Sequence, residues 1–313
     1  MILCATDLLP RSDAAVDRAG LLADALNTRL SLLHVVPTIS PESALMEELR
    51  VGGLQLKDRS QPPRWVHGAR PNLLVRSGDP ERVVVETVNE LKPRLVVMGA
   101  RRGKTRRQAF KGSLVETLSQ ARRCPVLIVR RKPRGAYRSV VLALDLAPAS
   151  AGAVRSAESI GIIEPIPRYT VLHAFEPPYH VALHYVGAGM AWTDVHTAGW
   201  RREYRHAISD VLNTESRSPW RYDVVLEEGR AAPAILKYVE RHEPDLLVMG
   251  TRAGGRIHHA LLGSVAREVA HQARCDVLLV PQNASSARRR PIERKGEQER
   301  QRNAIQTHAA RCG

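Results

Sequence analysis

The sequence predicts an α/β protein built from two successive copies of one fold, each a five-stranded parallel sheet with helices on both faces. Three observations carry this. A stretch occurs twice, MGARRGKTRRQAFKGS (98–113) and MGTRAGGRIHHALLGS (249–264), with the same Met-Gly start, Gly-Ser end and spacing. Each copy follows an apolar run, LVVM (95–98) or LLVM (246–249), and leads on to a Cys and a second apolar run, RRCPVLIV (122–129) or ARCDVLLV (273–280). Short apolar strands alternate with amphipathic helical segments, the pattern of a parallel sheet buried on both sides.

In the first half, strands are expected near 1–7, 30–36, 72–77, 94–99 and 125–130, and helices near 11–26, 41–57, 80–92 and 113–122. The strand pattern begins at MILCATD, which leaves no room for a signal peptide. RRKPRGAYR (130–138), with Pro133 and Gly135, reads as a linker. In the second half, strands are expected near 138–144, 168–175, 221–227, 245–250 and 276–280, with helices near 148–160, 200–213, 231–242 and 264–273. The domains are therefore 1–132 and 138–281, followed by a basic disordered tail, 282–313.

An offset of 151 carries Gly99 to Gly250, Gly112 to Gly263 and Cys124 to Cys275. Upstream the offset changes, as an insertion requires, and Asp7 then faces Asp145 and His34 faces His173. The extra length falls in 176–220, a loop-like stretch with Pro177, Pro178, a Gly-Ala-Gly run and three of the four tryptophans. A lid or an inter-domain contact is the expectation there, with the tryptophans packing rather than holding a ligand.

At 313 residues and 43% apolar content the chain can build two packed cores, and no apolar run reaches the ~18 residues of a membrane span. Four cysteines, two at equivalent repeat positions, do not form a disulfide framework, and a reducing cytoplasm fits. Cys124 and Cys275 read as small buried residues rather than reactive thiols. Net charge is +15, and the tail after Pro281 sets eight Arg and Lys against three Glu, so a third of the excess lies in a segment unable to build a core. Nucleic acid is expected as a partner only through that tail, which lacks stacking aromatics.

A glycine-punctuated loop between strand and helix leaves backbone N–H groups unpaired at a helix start, where an anion is favoured. Ser113 and Ser264 are placed either to cap the following helix or to turn a hydroxyl to phosphate oxygens. The first loop adds Arg101, Arg102, Lys104, Arg106, Arg107 and Lys111 as a cationic rim, while the second has Arg252, Arg256, His258 and His259. Asp7 and Asp145, at the ends of the first strands, are placed to accept a hydrogen bond from ribose or adenine, or to cap the next helix. His34 and His173 read as structural histidines, and His180, His184, Asp194 and His196 match no metal motif. No nucleophile elbow or full P-loop is present, and no nucleophile or general base is positioned, so a binding protein rather than an enzyme is expected.

These residues resemble the universal stress protein family. The matching motifs are ATD with Asp7, LHVV (33–36), SGDP (77–80), MG-x12-GS (98–113) and CPVLIV (124–129), repeated as LALD, LHAF, EEGR, MG-x12-GS and CDVLLV. The resemblance covers nearly all of 1–281 in a tandem form and implies two flavodoxin-like/Rossmann-like domains. It implies an adenine-nucleotide (ATP, with Mg2+) binding sensor or adaptor of the stress response, in the cytoplasm. Phosphate contacts are implied for Gly99, Gly112 and Ser113, and for Gly250, Gly263 and Ser264. Adenosine contacts are implied for Asp7 and Val35, and for Asp145 and Ala174. ATP-binding relatives carry Gly-x2-Gly-x9-Gly-Ser/Thr. Here the middle position holds Arg102 or Ala253, with Gly103 and Gly254 one residue late as substitutes. The alternative is a nucleotide-free interaction protein whose glycine loops are structural only. The resemblance also implies that the two halves pair within the chain through their last strands, as single-domain relatives do between chains, and leaves a homodimer open.

Overall fold

A computed structural model describes residues 1–38, 42–59, 70–100, 114–120, 124–146, 154–155, 157–158, 160, 162, 169–176, 190–215, 222–251 and 262–281. The first half contains β1 (Ile2–Thr6), α1 (Asp13–Ala25), β2 (Leu30–Val36), α2 (Glu42–Arg59), β3 (Asn72–Ser77), α3 (Pro80–Leu91), β4 (Leu95–Gly99), α4 (Leu114–Gln120) and β5 (Val126–Val129). The second contains β6 (Val140–Ala143), β7 (Tyr169–Phe175), α5 (Met190–Glu215), β8 (Tyr222–Glu228), α6 (Ala231–His242), β9 (Leu246–Gly250), α7 (Ser264–Gln272) and β10 (Asp276–Val280). Helix 148–160 and the 282–313 tail fall wholly or partly outside the described residues.

Among the described residues ten strands form one sheet, in the order β3-β2-β1-β4-β5-β10-β9-β6-β7-β8. Within each half the pairing is parallel, and the strand order turns back between β1 and β4, or between β6 and β9. That divergence opens a crevice beyond the C-terminal strand ends, where doubly wound sheets place their ligands. β4 and β9 are buried from Leu95 to Met98 and from Leu246 to Met249 because helices cover both faces, which is why they read as unbroken apolar runs.

The halves meet where β5 and β10 pair antiparallel, with Leu127 opposite Leu278, Ile128 opposite Val277 and Val126 opposite Leu279. Leu127 and Leu278 are equivalent residues of the two repeats, so a local twofold axis runs between them, as at an isologous dimer interface but inside one chain. Pairing satisfies the open ladder edge of both sheets. Two apolar cores, one on each face, continue across this seam. One holds Leu127 with Leu278, the other Val126 with Val277.

The duplication is also written in the backbone. Leu8 and Leu146, Lys92 and Glu243, and Gly78 and Gly229 share positive φ at equivalent places. Only at Gly78 does packing also demand glycine, since a Cβ there would meet Val83 Cγ2 at 2.8 Å.

In the insert, the helix expected at 200–213 is present but begins earlier, at Met190 in the stretch read as loop-like. α5 runs unbroken for 26 residues, because no proline interrupts the stretch between Pro178 and Pro219. Its Tyr204 ring packs 4.9 Å from His173 and 5.0 Å from Phe175, centroid to centroid, and Ile208 and Leu212 are buried. Trp200 lies tilted against Tyr204, ring centroids 6.4 Å apart, so this tryptophan packs within its own half. Trp192 carries no described side chain, and Trp220 lies outside the described residues.

Candidate functional site

The site begins where β1 ends. Leu8 N–H donates to Thr6 Oγ1 at 3.1 Å, Thr6 and Ser12 hydroxyls meet at 2.8 Å, and the Ser12 hydroxyl donates to Leu9 O at 2.8 Å. This relay holds Leu8 at φ 58°, a conformation that costs a non-glycine residue about 1–2 kcal/mol. His34 Nδ1 lies 3.1 Å from Thr6 O and clamps the same bend from β2. His173 repeats this with Leu144 O at 2.7 Å, so each histidine braces the backbone at the end of its half's first strand, and His34 also lines the cavity described below.

The bend presents Asp7 to the crevice. Its Oδ1 accepts from Leu9 N–H at 3.0 Å and its Oδ2 from Arg11 Nε at 2.7 Å. Desolvation pushes this carboxyl up. The Leu9 amide, the Arg11 guanidinium and the Ser12 hydroxyl outweigh it, and the Asp7 carboxyl ends below its ordinary value. The bond to Leu9 is an Asx turn rather than the helix cap that the sequence allowed, because a 3-10 turn at Pro10–Ser12 intervenes before α1.

Asp7, Val35 and Gly99 line one cavity of about 560 Å³, within the ~300–1,000 Å³ range of small-molecule pockets. Leu33, Val84, Met98, Val115 and Ile128 make its walls apolar. Asp79 and Glu81 add carboxylates from the start of α3, where Asp79 caps the helix by accepting from Arg82 N–H at 2.9 Å. Arg11 and Arg130 make the opposite side cationic, beside His271. The cavity is thus apolar in the middle, acidic beside α3 and basic beside the seam. Gly103, Gly112 and Ser113 lie outside the described residues.

The second half brings Asp145, Ala174, Gly250 and Gly263 to one equivalent pocket, but its volume is only about 80 Å³. At matching positions Ile235 stands for Val84, and Arg230 and Ala232 stand for Asp79 and Glu81. Ile235 lines the smaller pocket, and both carboxylates are absent from it. Ser264 does not cap α7 with its side chain. Gly263 holds the cap position and its N–H donates to Thr251 O at 2.9 Å. Gly254 lies outside the described residues, as do His180 and His184.

Sequence reasoning missed Asp79, Glu81, Arg130 and His271. SGDP carried a cap-and-proline signal for the first pair, but nothing local ties Arg130 to Ala270 and His271, 140 residues away. Arg130 Nη2 donates to Ala270 O, and this contact crosses the seam. Burial raises the Cys4, Cys124 and Cys275 thiols to about 12, so none is a nucleophile near neutrality, as expected for Cys124 and Cys275. Among the described residues no group of His, Cys, Asp and Glu could hold a metal, and no helix is long and apolar enough to cross a membrane.

The comparisons with known proteins agree with this architecture. The family model described as "Universal stress protein family" matches residues 1–130 and again 136–281. A universal stress protein from Thermus aquaticus is 34% identical over 113 residues, 36% of this chain and 77% of its own length. Universal stress protein YxiE of Bacillus subtilis (strain 168) is 29% identical over 144 residues, 41% of this chain and 97% of its own. The crystal structure of a universal stress protein from Archaeoglobus fulgidus DSM 4304 superposes with TM-score 0.59 at 17% identity, covering 90% of this chain and 98% of that one. At that identity the likeness speaks to fold alone. With both halves matched in turn, and joined as a single sheet, this chain belongs to the universal stress protein family in tandem form.

Proposed function

We propose that the chain binds an adenine nucleotide, ATP with its Mg2+, in the first-half cavity, and serves in the cytoplasm as a stress-response sensor or adaptor rather than an enzyme. The observation that carries this reading is the inequality of the two pockets, about 560 Å³ against about 80 Å³, on otherwise equivalent frames. Only the first has room for a purine and a ribose.

The chemistry of the first cavity fits such a ligand. A purine that buries about 150 Å² between apolar walls gains roughly 4 kcal/mol, about half of the ~8 that micromolar binding needs. A carboxylate offers about four lone-pair sites, so Asp7 keeps acceptors for a ribose hydroxyl or the adenine amino group after Leu9 and Arg11 are served. Arg11 and Arg130 place positive charge where phosphates would lie. A Cβ on Gly99 would sit 3.5 Å from Arg11 O, an ordinary contact. Packing within the chain therefore does not demand glycine there, whereas close approach of a ligand to the backbone would.

Calorimetric titration of ATP into the full chain tests the reading. Asp7→Ala is expected to weaken binding at least about tenfold, by loss of a hydrogen bond to a charged group, and Asp145→Ala to leave it unchanged. The rival, a nucleotide-free interaction protein, draws support from the Asp7–Arg11 pair and from the displaced middle glycine. It predicts no binding heat in the parent protein.

A further inference from the structure

A second cavity, of about 930 Å³, lies beside the first along the seam, and the two share Arg11, Ala100, Arg130 and His271 in their walls. Arg131 and Arg274 complete its cationic lining, one from each half of the chain, and no carboxylate is among its described lining residues. Two of the four guanidiniums are answered nearby, Arg11 by Asp7 and Arg274 by Glu240 at 3.2 Å. Arg130 differs. Its Nη2 reaches the carbonyl oxygens of Ala270 and His271, while its Nη1 is buried without a hydrogen-bond partner. Such a donor is costly to bury unless something supplies an acceptor.

The repeat does not reproduce this arrangement. Positions equivalent to Arg130 and Arg131 hold Pro281 and Gln282, so the charge is concentrated on one side of the twofold axis.

We propose that the seam cavity binds a polyphosphate anion through Arg130, Arg131 and Arg274. The anion is either the terminal phosphates of a nucleotide held in the first cavity or a free inorganic polyphosphate chain. Only the first source rests on the nucleotide reading. Guanidinium groups suit this ligand because each offers paired N–H donors to phosphate oxygens. Since the ligand touches Arg131 of one half and Arg274 of the other, binding ties the halves together.

The test uses the full chain and the double variant Arg131→Gln/Arg274→Gln, which changes two exposed side chains and is expected to keep the parent melting temperature. Tripolyphosphate, ATP and AMP are titrated separately. Tripolyphosphate is expected to bind the parent and to lose about tenfold or more in the variant. If the nucleotide tail is the source, ATP loses by a similar factor and AMP does not. If free polyphosphate is the source, neither nucleotide responds. Should ATP and AMP fail to bind the parent while tripolyphosphate still shows the tenfold loss, the nucleotide reading falls and the seam site stands. No tripolyphosphate binding by the parent, or binding that the variant retains in full, overturns the proposal.

Discussion

Arg18 on the first helix and Asp276 on the last strand meet in the buried heart of the seam, with Nε 3.7 Å from Oδ2. Asp276 also accepts from the Tyr137 hydroxyl at 2.8 Å and from the Arg130 amide at 2.8 Å. Arg18 donates to Gly135 O at 2.7 Å and lies 3.9 Å from the Tyr137 ring centre. First half, linker and second half are thereby held by one polar cluster. Asp276→Ala strands a buried guanidinium and is expected to cost about 3–5 kcal/mol. Arg18→Met with Asp276→Ala should cost less than the sum of the single changes by more than about 1 kcal/mol, read from urea unfolding. Additive costs would show that the two residues are not coupled.

The depressed Asp7 carboxyl makes a signed prediction. Its folded value lies below the ordinary 3.8, so its stabilisation is complete above 3.8 and is lost as pH falls through the folded value. The partly exposed Asp7–Arg11 pair limits the effect to a fraction of a kcal/mol. Parent and Asp7→Asn should therefore differ in urea midpoint at pH 7, and the gap should narrow as pH falls below 3.8. A gap that widens in acid would contradict this.

Lys92 and Glu243 end α3 and α6 in the left-handed region, at φ 46° and φ 44°, and both are exposed. Glycine relieves the Cβ strain there at some cost in unfolded-chain entropy. Lys92→Gly and Glu243→Gly should each stabilise by about 0.5–1 kcal/mol, seen as a higher urea midpoint at unchanged slope.

The three buried thiols titrate near 12 instead of 9.0, so the folded state holds protons that the unfolded chain has released. Stability is expected to fall as pH rises from 9 toward 12. A Cys312→Ser variant at pH 8 should react with a thiol reagent only as fast as it unfolds. A prompt burst from Cys4, Cys124 or Cys275 would place a thiol at the surface.

Strand positions were legible in the sequence because burial on both faces writes a plain apolar run, and LVVM and LLVM fell where β4 and β9 lie. The length of α5 was not, since the Gly-Ala-Gly run and the aromatic residues masked a proline-free helical stretch. Asp7 and Gly99 were legible because they repeat, and Val35 only through the family resemblance. Asp79 and Glu81 were hidden by distance along the chain, as the β3–α3 crossover alone brings them to Asp7. Arg130 and His271 depend on the β5–β10 pairing, which no local pattern encodes. The two pockets looked alike in motif. Among their described differences are Ile235 in place of Val84 and Arg230 in place of Asp79.

Equilibrium dialysis of labelled ATP against the full chain tests the central claim most directly. One nucleotide per chain at saturation, displaced by unlabelled ATP and held at least about tenfold more weakly by Asp7→Ala, is the predicted result. Two per chain would mean that the small second pocket opens as readily as the first, and none would mean that the large cavity serves something other than a nucleotide.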